Sequence, residues 1–159
     1  MKGIKMGKLK LQEGDMFYVH LDVGFCIGMI TRISKQKIPL CYFFKNVHQQ
    51  TPSLNTFLDI KNEPILLIQE AGIQGFKDGS WVIIGRNDDF RRSDWPVPIF
   101  FHHTQPFKPQ LIYFDDDMNE IKRESVNPND IHSFSLLPRA GLGGSRFIEK
   151  ILSKIIAGP

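Results

Sequence analysis

Cysteine is scarce in this chain, and the two present, Cys26 and Cys41, fit none of the spacings of zinc, redox or disulfide sites. Each falls in a strand-like stretch, so buried free thiols in a reducing compartment are expected. Missing too is any apolar run approaching the ~20 residues needed to cross a bilayer. The N-terminus carries Lys2, Lys5, Lys8 and Lys10, but no apolar stretch of signal length follows before Glu13, Gly14 and Asp15. That argues against secretory export and for a cytoplasmic location. Neither charge sign dominates, because 20 Lys+Arg against 17 Asp+Glu leave a net charge of +3, too little to argue for nucleic acid. The basic surplus is an N-terminal property, with eight Lys/Arg and three Asp/Glu among residues 1–50.

What is present reads as strands. Phe17, Val19 and Leu21 alternate with Met16, Tyr18 and His20, Asp22-Val23-Gly24 turns the chain, and Phe25 to Ile33 returns. Ser34-Lys35-Gln36-Lys37 turns it again into Ile38 to Phe44, which makes an antiparallel meander. Lys45 to Glu63 reads as a loop with one helical turn around Ser53 to Leu58. Ile65 to Ile68, wholly apolar, predicts a strand covered on both faces. Ile73 to Phe76 and Trp81 to Ile84 flank Asp78-Gly79, the signature of a tight hairpin.

Arg86 to Pro98 is charged and aromatic, and Pro96 and Pro98 remove backbone donors, so a surface segment is expected. Ile99 to Phe101 and Gln110 to Phe114 predict two further strands, with Asp115-Asp116-Asp117 turning into Met118 to Ser125. Phe147, Ile148, Ile151, Leu152, Ile155 and Ile156 form a helical stripe, with Ser145 as its N-cap and Gly158-Pro159 as its stop. With no repeat or linker, residues 1–159 read as one α+β domain. It is mainly an antiparallel, meander or barrel-like sheet with a C-terminal helix packed on it.

No constellation carries chemistry. Gly141, Gly143 and Gly144 lack the remainder of a dinucleotide or P-loop fingerprint. Asp115, Asp116 and Asp117 could hold a divalent cation, but consecutive strand residues point to opposite faces, and a solvated turn or an acidic patch for a basic partner fits better. The histidines show no zinc spacing, and no serine or cysteine sits in a nucleophile elbow. No catalytic residue, metal site or cofactor is therefore assigned. The most suggestive stretch is Asp88-Asp89-Phe90-Arg91-Arg92-Ser93-Asp94-Trp95-Pro96, since Trp and Arg most often anchor interfaces. The alternative is that Trp95 and Phe90 fold inward as a small core under the loop.

Gly14-Asp15-Met16-Phe17, Gly28, Tyr42-Phe43-Phe44, Trp81-Val82-Ile83-Ile84-Gly85, Phe90-Arg91-Arg92 and Trp95-Pro96-Val97-Pro98, in this order, resemble the immunity protein 26 family. The likeness continues through Tyr113-Phe114-Asp115-Asp116-Asp117, Leu136-Leu137-Pro138 and Gly141-Leu142-Gly143-Gly144 into Phe147-Ile148-Glu149-Lys150. Lys45 to Glu63 is one place that matches no family pattern, and no residue there is carried over. The resemblance implies a bacterial immunity protein that neutralises the effector domain of a polymorphic toxin by binding it, without catalysis, membrane or nucleic acid. Asp88, Asp89, Phe90, Arg91, Arg92 and Trp95, with Asp115, Asp116 and Asp117, are then the expected partner-binding residues. Alanine at Trp95 or Arg92 is expected to weaken binding and spare stability. Two rivals stand beside this reading. One is a small nucleic-acid-binding β-barrel, suggested by the meander and a pI near 8.9. The other is a metal-dependent enzyme using Asp115 to Asp117.

Overall fold

A computed structural model describes residues 9–57 and 60–158. Lys2, Lys5 and Lys8, the Leu58 end of the expected helical turn, and Pro159 lie outside them. The chain forms β1 (Asp15–Leu21), β2 (Gly24–Ile33), β3 (Pro39–His48), β4 (Ile65–Ala71), α1 (Gln74–Asp78) and β5 (Trp81–Arg86). It continues through β6 (Phe100–His102), β7 (Gln110–Phe114), β8 (Glu120–Ser125), β9 (Leu142–Gly143) and α2 (Ser145–Ala157). Short 3-10 turns lie at Leu54–Phe57, Ile60–Asn62, Arg92–Asp94 and Pro128–Phe134.

The predicted meander is present, and β3 runs four residues beyond its expected end, to His48. The strands build a six-stranded sheet in the order β5-β1-β2-β3-β4-β9 and a three-stranded sheet in the order β6-β7-β8. Among the described strands every pairing is antiparallel except the short β4–β9 contact, and an isolated parallel bridge joins Phe101 to Arg139. The α+β class with a C-terminal helix therefore holds, whereas the barrel-like form does not, because neither sheet closes.

Strand alternation explains the layering. In β1, Met16 points into one core and Phe17 into another; in β3, Leu40, Tyr42 and Phe44 face the first core, and Cys41 and Phe43 the second. The large sheet is thus buried on both faces, which is why its strands read as nearly continuous apolar runs. The small sheet covers the first face with Phe100 and Ile112, joined by Trp95 and Met118. The helices cover the second, where Phe76, Ile148 and Leu152 pack with Trp81. Each fully buried large side chain contributes about 1.5–3 kcal/mol.

Phe17 lies flat on Trp81, with ring centroids 5.6 Å apart and planes 6° apart. The space for the Phe17 ring exists because Gly28 sits opposite it in β2, and a Cβ at Gly28 would overlap the ring.

Three local expectations are corrected. Residues 73–76 are no hairpin strand: Gln74–Asp78 is a helical turn, and Gly79, at φ +82°, provides its left-handed C-terminus. The helix wins because Gly75 lies flat against the Trp81 indole, where any side chain would collide. Ser145 is the first residue of α2 and Gly144 its N-cap. The Ser145 hydroxyl instead accepts from the Gly75 N–H at 2.8 Å and donates to the Gly72 carbonyl at 3.3 Å, tying α2 to α1. Lastly, Ile65 to Ile68 are not covered on both faces, since Ile65 is exposed and its three successors are only half-buried.

Candidate partner-binding surface

The chain that leaves β5 crosses the first face of the large sheet from residue 87 to residue 99, and local bonds fix its course. The Asn87 N–H donates to the Gly14 carbonyl at 2.8 Å, and the Asn87 side chain accepts from the Asp89 N–H at 3.0 Å. Phe90 then folds down over Gly14, whose φ of +90° and contact with Phe90 leave no room for a larger residue.

Trp95 goes inward. It is 5% exposed, and its indole stands edge-on to Tyr42 and Phe44, each at 5.7 Å between centroids. The Tyr42 hydroxyl donates to the Pro96 carbonyl at 2.8 Å, so the Trp-Pro pair is fastened to β3. The Trp95 indole N–H is the one buried side-chain polar atom without a hydrogen-bond partner among the described residues. Of the two readings offered by the sequence, Trp95 and the half-buried Phe90 thus follow the inward one. The expectation that Trp95→Ala spares stability is corrected accordingly.

Arg92 and the acidic turn meet in a charge network. Arg92 forks onto Glu13, with Nε and Nη2 donating to its two carboxylate oxygens at 2.7 and 2.9 Å. Its Nη1 reaches Asp117 at 2.8 Å and Asp116 at 3.2 Å. Behind it lies Arg32 of β2, 1% exposed, which donates to the Asp116 carboxylate at 2.7 Å and to the carbonyls of Asp116 and Thr31 at 2.9 and 2.8 Å. Bidentate and charge-assisted bonds of this kind are directional and strong. They clamp the strand-entering Glu13, the 87–99 segment and the β7–β8 turn into one unit. Arg32, joined by Arg92, holds the Asp116 carboxyl below the usual carboxylate range. Glu13 first, then Asp117, hold Arg92 more firmly protonated.

Asp115 shapes the turn itself. Its carboxylate accepts from the N–H groups of Asp117 and Asn119, each at 2.9 Å, and these bonds, Asn119's foremost, lower its pKa. Among the described residues, no three His, Cys, Asp or Glu side chains cluster in a way that could hold a metal ion. Both cysteines are buried and free; burial pushes the Cys26 thiol up to about 12 and raises Cys41 as well, so neither supplies a thiolate nucleophile.

Of the nine residues singled out by sequence, the structure gathers Arg92, Asp116 and Asp117 into one network and sends Trp95 and Phe90 into the core. Asp88, Asp89 and Arg91 remain exposed on the crest of the segment, without an ion pair among the described residues. Sequence reasoning missed Arg32 and Glu13. The available signal for Arg32 was its position between Thr31 and Ile33 in an otherwise apolar strand, where a charge requires a buried partner.

The family model described as immunity protein 26 matches residues 12–106, which is 95 of the 159 residues. The match contains β1 to β6 and the whole 87–99 segment. It ends before Tyr113-Phe114-Asp115-Asp116-Asp117 and the glycines at 141–144, to which the sequence likeness extended. No curated protein and no solved structure matches the chain.

Proposed function

The chain belongs to the immunity protein 26 family, and from that membership we propose that it binds and neutralises the effector domain of a cognate toxin. The observation that carries this reading is the family match itself, which takes in β1 to β6 and the segment laid across the large sheet. Binding alone suffices for the task. A standard interface of roughly 1,600 Å² with a few desolvated anchors gives lasting capture, and complementary charge speeds encounter.

Asp88, Asp89 and Arg91 are the proposed contacts, joined by the outward side of Asp117. Arg92, Asp115, Asp116, Phe90 and Trp95 act beneath them by holding the crest in one shape, which lowers the ordering cost of association. No helix among the described residues is long and apolar enough to cross a membrane. A cytoplasmic location and independence from any cofactor or nucleic acid go with this reading.

The reading expects a toxin gene beside this one, and the test is co-expression with the effector domain of that toxin. Wild-type chain should restore growth and co-purify with the toxin. The triple variant Asp88→Ala, Asp89→Ala, Arg91→Ala should bind at least tenfold more weakly with an unchanged melting temperature. Absence of both protection and co-purification for the wild type refutes the reading.

A further inference from the structure

The outer edge of β4 is open. β9 pairs with it only at Glu70–Leu142 and Ala71–Gly143, so no described strand covers the edge from Ile65 to Gln69. Those five consecutive residues all line one groove of about 630 Å³. Successive side chains of a strand point to opposite faces. A groove lined by five in a row therefore runs along the strand's edge, where backbone donors and acceptors stand.

The residues from Ser135 to Leu142 form the facing wall, and Phe147, Ile151 and Ile155 of α2 complete the lining. The groove is apolar and uncovered: Leu136 is 98% exposed, Phe147 58% and Ile155 42%. The stripe of α2 is thus divided, with Ile148 and Leu152 in the core and Phe147 and Ile155 in the open. Naturally open sheet edges are usually blunted by charge, bulges or covering segments, and an apolar, unpaired edge marks a place where another chain adds a strand.

Charge indicates what kind of strand. No carboxylate lines the groove, whereas Arg139 does. Lys154, three residues after Ile151 and seven after Phe147, lies on the same side of the helix as the groove stripe. Neither cation has a carboxylate partner among the described residues.

We propose that an extended segment of the toxin, apolar with acidic flanks, adds to the free edge of β4 between α2 and residues 135–142. This rests on the immunity reading and gives the toxin a contact separate from Asp88, Asp89 and Arg91. The five-residue edge corresponds to about 16 Å of added strand at ~3.3 Å per residue.

The experiment is titration calorimetry of the chain with the catalytically inactivated toxin domain encoded beside its gene, paired with amide hydrogen exchange on the complex. Leu136→Asp, Phe147→Asp and the pair Arg139→Glu, Lys154→Glu should each weaken binding at least tenfold. Amides within Ile65 to Gln69 should exchange at least tenfold more slowly in the complex. If Phe147→Asp unfolds the chain, Leu136→Asp and the charge reversals decide, since those side chains lie at the surface. Undiminished affinity in the variants, with unchanged exchange along β4, overturns the groove and leaves the immunity reading standing. A wild-type chain that fails to bind the toxin overturns both. A wild-type dimer that Phe147→Asp converts to monomer also overturns the groove proposal, because a second copy then fills it.

Discussion

The Arg32 guanidinium and the Asp116 carboxylate, 84 residues apart in the chain, meet at 2.7 Å. The arginine is 1% exposed, while the aspartate is 61% exposed. The contact joins the centre of the large sheet to the turn of the small one. An acidic residue that by sequence alone could serve a partner or a metal is therefore first of all the counter-ion of a buried cation.

Asp116→Asn tests that role through pH. The folded carboxyl titrates below its ordinary value, chiefly because Arg32 bonds to it. The associated stability is present above the unfolded value of about 3.9 and is lost as pH falls through the lower folded value. Burial raises Asp15 and Glu70, which opposes folding above the same unfolded range, but both groups are shared by variant and wild type. At pH 7 the variant should lose about 1–2 kcal/mol in urea unfolding, less than for a fully buried pair because water reaches Asp116. The gap should narrow as pH falls below about 4 and close once pH is below the lowered folded value. A gap that stays equal across this range would show that the ion pair is not its source.

Trp95 should behave as a core residue. Trp95→Ala removes a buried indole and should cost about 3–5 kcal/mol. Trp95→Phe also removes the unpartnered N–H, so it should cost less than half as much despite the smaller ring. Equal losses in chemical denaturation would mean that the indole N–H is satisfied in solution.

Gly28→Ala places a methyl against the Phe17 ring that stacks on Trp81. A loss of about 1–3 kcal/mol is expected from overpacking. Adding Phe17→Leu should cost less in this background than in wild type, a coupling that a double-mutant cycle reads directly. Strict additivity would place the cost elsewhere.

The parts of the fold legible in sequence were those written in local periodicity. The meander followed from two-residue alternation, and the α2 stripe from three- and four-residue spacing. Residues 73–79 misled because Asp78-Gly79 suits both a tight turn and a left-handed helix end, and only the packing of Gly75 on Trp81 decides between them. The candidate site was less legible for a related reason. The Asp88–Trp95 segment was found by composition, but which of its side chains face outward depends on Glu13, Arg32 and Tyr42, all distant in sequence. The β4 groove depends on how far β9 pairs, and a two-residue strand at Leu142–Gly143 leaves almost no periodic trace.

The central claim is neutralisation by occupancy, and a stoichiometric titration tests it most directly. Purified chain is added to a fixed amount of the cognate toxin while the toxin's activity is followed. The account predicts a linear fall that reaches its floor at one chain per toxin and reverses when the complex is dissociated. Complete and irreversible inactivation by a small fraction of an equivalent would contradict it, since that is the behaviour of an enzyme.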